Sequence, residues 1–159
     1  MFLGLTPFTL FHVVITLVAI VSGLLVLFGF LGGRDHKMLT HIFLLFTLAT
    51  SVTGFLFPIH GFTPALGTGI VSMIVLIPAL AGYYAFHLAG NWRWVYVVGA
   101  VIALYLNCFV LVVQSFLKVP ALHALAPNGS EPVFAIAQGA VLLFFVITGT
   151  LAARRFYPV

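Results

Sequence analysis

An all-α transmembrane bundle of five helices is the fold this chain predicts, and three observations predict it. Of its 159 residues, 64% are hydrophobic and 5% charged, whereas a soluble domain carries about a quarter charged residues. Two acids and six bases are too few to coat a water-facing surface, which leaves hydrocarbon as the solvent; the mean hydropathy of +1.29 agrees. The apolar residues also fall into five stretches, each near the roughly 20 residues that a helix needs to cross a bilayer core. Backbone polar groups find no partner in lipid, so stretches of this length are helices.

The first stretch runs from about Thr6 to Leu31 and stops at Gly32-Gly33, residues suited to a helix C-cap. Met1-Phe2-Leu3-Gly4 lacks a basic n-region and the apolar run is too long for a signal-peptide core, so it reads as a retained span. Arg34-Asp35-His36-Lys37 makes a short turn, with Asp35 placed to cap a second helix from about Lys37 to Phe57, before Pro58. A loop with His60, Gly61 and Pro64 leads to the third helix, about Ala65 to Leu88, which Pro78 interrupts and is expected to kink. A count of four spans follows instead if this stretch is re-entrant at Pro78. Gly90-Asn91 is a tight turn into the fourth helix, Trp92 to Lys118. The break from Val119 to Ser130 begins with apolar residues, as a short interfacial segment would. Ser130-Glu131-Pro132 then offers a capping hydroxyl, an acid and an early proline for the fifth helix, about Pro132 to Ala153. The whole, 1–159, reads as a single transmembrane domain without a repeat or a soluble module.

Orientation follows from the bases. Arg34, Lys37, Arg93, Arg154 and Arg155 gather on one side and Lys118 alone on the other, so the first side is cytoplasmic, with the N-terminus out and the C-terminus in. Trp92, Trp94 and Tyr157 anchor that side. The net charge of +4 is thus a topology signal and no nucleic-acid footprint. Cys108, the single cysteine, excludes an internal disulfide or a cysteine metal cluster.

Ionisable groups inside spans are functional suspects. Neither acid lies within one, and no Ser/His/Asp set, HExxH helix or paired aspartates occur, so the chain does not read as a hydrolase. Histidine remains. On the first helix His12, Thr16, Ala19 and Gly23 share a stripe that admits a close neighbour. At similar depth stand Gln114 and Gln138, with Asn107 deeper on the face of Gln114. These four, His12, Asn107, Gln114 and Gln138, are read either as a hydrogen-bonded knot that fixes packing or as the lining of a path opening outward. On the other side His41 and His87 project from neighbouring antiparallel helices at one level, as a bis-histidine haem b requires. Tyr83 and Tyr84 are placed to bond its propionates or to anchor the interface. Against haem, Thr40, Thr47, Thr50, Ser51 and Gly54 mark the packing face of the second helix, and His41 lies about 80° from its edge at 100° per residue. His36, His60 and His123 are loop residues. An outer metal site from His12, His60 and His123 with Glu131 has no known ligand spacing.

The segments SVTGFLFP (Ser51–Pro58), AFHLAGNWRWVYVV (Ala85–Val98) and LKVPALHALAP (Leu117–Pro127) resemble those of a family of small multipass proteins of bacterial genomes. That family carries no established activity, so the resemblance implies a bacterial inner-membrane location and adds no catalytic residues. A likeness to haem b membrane cytochromes extends only to two histidines on adjacent helices. The favoured expectation is a non-enzymatic structural, accessory or self-associating membrane protein. The alternatives are a b-type haem protein using His41 and His87, and a small channel or transporter lined by the polar four. The expected partners are the lipid bilayer and further copies of the chain or a larger membrane complex, with no nucleic acid.

Overall fold

A computed structural model describes residues 5–158; the reading of Met1–Gly4 lies outside the described residues. The elements are α1 (Pro7–Leu31), α2 (Lys37–Phe55), α3 (Pro64–Leu80) continued by a π-helical turn (Ala81–Ala85), α4 (Trp92–Lys118), a short α5 (Pro120–Leu125) and α6 (Pro132–Arg155). Among the described residues five helices are long and apolar enough to cross a membrane: α1, α2, α3 with its π-turn, α4 and α6.

Local chemistry accounts for the helix starts. Thr6 and Thr63 each turn a hydroxyl back to accept from the N–H three residues on, Thr9 at 3.2 Å and Leu66 at 3.1 Å. Each is followed by a proline at the first helical position, where a missing N–H costs nothing. α1 stops because Gly33 adopts φ +68°, a left-handed conformation open to glycine.

Two starts differ from expectation. His36, not Asp35, is the N-cap of α2 and makes no side-chain cap bond. The Asp35 carboxylate instead accepts from Thr40 Oγ1 at 2.9 Å and from the Tyr83 hydroxyl at 3.0 Å. Likewise Glu131, not Ser130, caps α6, and its carboxylate reaches back to the loop N–H groups of Asn128 and Ser130, both at 3.0 Å. In both places a stronger donor set lay within reach of the acid.

α1 packs along α2, and α3 along α4; α4 also meets α1, α2 and α6 and is the central helix. One core cluster runs through the bundle, with Leu27, Phe43, Leu44, Leu76, Tyr96, Val97 and Leu104 nearly inaccessible. Close approach of α3 and α4 depends on Gly99, where an added Cβ would stand 2.7 Å from the Val75 carbonyl oxygen. The stripe on α1 faces neighbours as small residues should: a Cβ on Gly23 would meet Leu104 at 2.6 Å and Phe43 at 2.8 Å. Thr40, Thr47, Thr50 and Ser51 of α2 are buried, whereas Gly54 is exposed. α6 is the least embedded of the five, burying only Phe145, Ala152 and Ala153.

α3 passes Pro78 as helix and departs from α geometry one turn later, in the π-turn. The regular coil ends at Ala85, short of the expected Leu88, because Phe86 lies flat on Trp92, ring centroids 4.0 Å apart and 3° from parallel. That stack folds the chain back into α4. Residues His87 and Leu88 absorb the reversal at φ 48° and 60°.

Candidate functional site

Six of the eight charged side chains, Arg34, Asp35, Lys37, Arg93, Arg154 and Arg155, lie toward the end that carries the α1–α2 and α3–α4 turns, hereafter the hairpin end. Its centre is Asp35, which ties α2 to the π-turn through Thr40 and Tyr83. The π-turn places Tyr83 and Tyr84 side by side, ring centroids 5.0 Å apart. Tyr83 packs on Tyr96 of α4 at 5.0 Å, and Tyr84 shares a 2.6 Å hydrogen bond with Nδ1 of His41 while stacking on that imidazole at 5.5 Å. Tyr96 is fully buried, and its hydroxyl has no hydrogen-bond partner among the described residues.

Arg93, one residue into α4, is buried in spite of its charge. Its Nη1 donates to the carbonyls of Ala153 at 3.0 Å, in the last turn of α6, and of Phe156, the C-cap of that helix, at 2.6 Å. The guanidinium carbon lies 4.4 Å from the Trp94 ring and 3.9 Å from the Tyr157 ring, within cation–π range. These side chains surround an open groove of about 670 Å³, whose walls include Asp35, Lys37, His41, Tyr84, His87 and Arg93.

Both residues of the expected haem pair therefore line one groove. They differ in setting: His41 is exposed on α2, and His87 sits in the left-handed turn and not on a helix. Nδ1 of His41 is engaged by Tyr84, which leaves Nε2 for any ligand.

The polar four take separate partners. His12 Nδ1 lies 2.7 Å from Thr53 Oγ1, which lies 2.7 Å from the Ala49 carbonyl; with the hydroxyl proton on that carbonyl, the imidazole donates. The His12 ring also meets Phe57 edge-on at 5.1 Å. Asn107 Nδ2 donates to Thr47 Oγ1 at 3.5 Å, and Gln138 Nε2 donates to the Phe109 carbonyl at 3.2 Å while its Oε1 is buried without a partner. Gln114 is half-buried on α4. Among the described residues no hydrogen bond joins one member of the four to another. His60 and His123 are exposed, and no three His, Cys, Asp or Glu side chains among the described residues converge as metal ligands.

Sequence reasoning placed Arg93 as a topology charge and missed its burial. The signal was present: Trp92-Arg93-Trp94 sets a cation between two indoles, and such cations are often sequestered by rings. The Asp35–Tyr83 bond had no signal, since its partners are 48 residues apart. Comparison with known proteins finds no matching family, no matching curated protein and no matching solved structure.

Proposed function

We propose that the chain is a multipass protein of the bacterial cytoplasmic membrane, N-terminus out and C-terminus in, with a non-enzymatic role in helix-mediated assembly. The observation that carries this reading is the use to which polar side chains within the apolar helices are put. His12 bonds α2, Thr16 Oγ1 lies 3.3 Å from Thr50 Oγ1, Ser51 lies 3.3 Å from Ser72, Asn107 bonds α2 and Gln138 bonds α4. Each joins one helix to another, with net contributions averaging about 0.6 kcal/mol in membranes. Groups spent on packing are not free for turnover. The same fact weighs against a path lined by His12, Asn107, Gln114 and Gln138.

α6 supports assembly with other chains. Ile136, Leu142, Leu143, Val146 and Ile147 are exposed, and a Cβ on Gly139 would meet nothing within 4 Å. The test is the mass of the protein–detergent complex by light scattering. A colourless species heavier than one chain is expected, and a monodisperse monomer in mild detergent removes the assembly role.

A second reading, b-type haem, is favoured by one observation: His41 and His87 share the groove wall. Haem there would supply one-electron chemistry, with His41 and His87 as its ligands and Tyr84 orienting His41. Protein from haem-replete cells would then show a Soret band that His41→Ala or His87→Ala abolishes. A sample without that band ends the haem reading.

A further inference from the structure

We propose that the groove at the hairpin end holds a phosphate-class anion, supplied as the headgroup of an anionic phospholipid. The proposal rests on the membrane reading above, since only in a bilayer does this end of the helices lie at headgroup depth. Three observations converge on it.

Arg93 comes first. It is 6% exposed, yet Nη1 alone finds protein acceptors, the two carbonyls at the C-terminal end of α6. No bond to Nε or Nη2 is formed among the described residues, and neither atom is sealed from the surface as the Tyr96 hydroxyl is. The rings of Trp94 and Tyr157 lie against the guanidinium without neutralising it. A planar cation held rigid with donors to spare, on the wall of a groove, has the geometry that binds phosphate through paired hydrogen bonds.

The formal charges on the groove wall sum to +1, with Arg93 and Lys37 set against Asp35. The imidazoles of His41 and His87 add polar ring nitrogens to the same wall. The acid among them, Asp35, already accepts from Thr40 and Tyr83 through both of its oxygens. Tyr84 adds a hydroxyl beside His41.

The backbone supplies the third observation. A π-turn and two consecutive left-handed residues, His87 and Leu88, meet at this wall. Non-glycine residues at positive φ are strained and persist only where the surroundings hold them, and they cluster at ligand clamps, active sites and switch regions. Here the strain carries His87 out of the helical path and onto the groove.

The experiment uses the full chain in nonionic detergent, with phosphatidylglycerol, phosphatidylcholine and inorganic phosphate as separate arms, read by thermal unfolding and by lipid retention in native mass spectrometry. Phosphatidylglycerol is expected to bind more tightly than phosphatidylcholine, whose choline cation is repelled by Lys37 and Arg93. Arg93→Gln is expected to weaken the anionic lipid by about tenfold, the value of one lost charge-assisted hydrogen bond. Lys37 is exposed, so Lys37→Gln provides a variant with its fold intact should Arg93→Gln fail to fold. Protection by inorganic phosphate with the same variant sensitivity, and no lipid preference, supports the anion site with a soluble source. Equal retention of both lipids with no response to phosphate overturns the proposal, as does unchanged affinity in Lys37→Gln and in a folded Arg93→Gln. A chain that stays in solution without detergent overturns the membrane reading instead, and the phosphate arm still tests the groove.

Discussion

Tyr96 shows how a single side chain can be at odds with its surroundings. Its ring is well placed, against Phe30 at 5.6 Å and Tyr83 at 5.0 Å, but its hydroxyl is buried without a partner. An unsatisfied buried hydroxyl costs about 1–3 kcal/mol. Tyr96→Phe keeps the ring and removes that cost, so it is expected to stabilise the protein by about 1 kcal/mol. Thermal or denaturant unfolding in detergent checks this, and a loss of stability would show that the hydroxyl has a role the ring contacts do not reveal. Residues of this kind were only partly legible in the sequence. That His41 and His87 meet on one level followed from antiparallel neighbours of known length. That His41 points toward Tyr84, and Arg93 toward the carbonyls at the end of α6, depends on rotamers and contacts between distant segments.

Among elements, helix contacts and helix ends behave differently. Gly99 is required where α4 meets the backbone of α3: the obstacle to a side chain there is the Val75 carbonyl, which cannot rotate away. Gly99→Ala is therefore expected to destabilise by about 1–3 kcal/mol, the usual cost of overpacking. Gly139→Ala, with open space around it, should be close to neutral in the same assay. Equal effects would mean that α3 and α4 do not approach this closely. At the start of α6, hydrogen bonds from the Asn128 and Ser130 N–H groups hold the Glu131 carboxyl below its ordinary value of 4.5. A depressed acid contributes stability above its unfolded value and loses it as pH falls through the folded one. Glu131→Gln should thus melt earlier than the parent at neutral pH, with the gap closing as the pH falls below the ordinary carboxylate range and the parent protonates. A gap that persists in acid would point to a cause other than charge. The helices themselves were legible almost to their ends, because bilayer-length apolar runs broken by Gly, Pro and Asn leave little choice. The N-caps of α2 and α6 were not, since Asp35 is drawn to Thr40 and the distant Tyr83, and Glu131 turns back to the N–H groups of Asn128 and Ser130. Nor was the π-turn, because the sequence from Ala81 to Ala85 carries nothing that separates i→i+5 from i→i+4 bonding.

For the whole molecule, the membrane reading turns on which end faces which side. Cys108 lies half-buried on α4, so a Cys108→Ser background allows single reporter cysteines. A cysteine at Ser130 should react with an impermeant maleimide added to intact cells, and one at Arg155 only after lysis, as the distribution of bases requires. The opposite pattern would invert the orientation and place the groove outside. The apolar runs sufficed to predict five helices long enough to cross a membrane and the all-helical class. They did not reveal that α4 is central and α6 marginal, because apolar residues face lipid and core alike.

The flat contact between Phe86 and Trp92 has a use beyond closing the α3–α4 turn. An indole 4.0 Å from a parallel ring senses a polarity and a motional freedom that change as soon as the two separate. Trp92 emission therefore serves as a built-in optical gauge of the corner that holds His87, with Trp92→Phe as its blank and Phe86→Ala as its released state. Whatever docks beside that corner announces itself in fluorescence, with no dye attached.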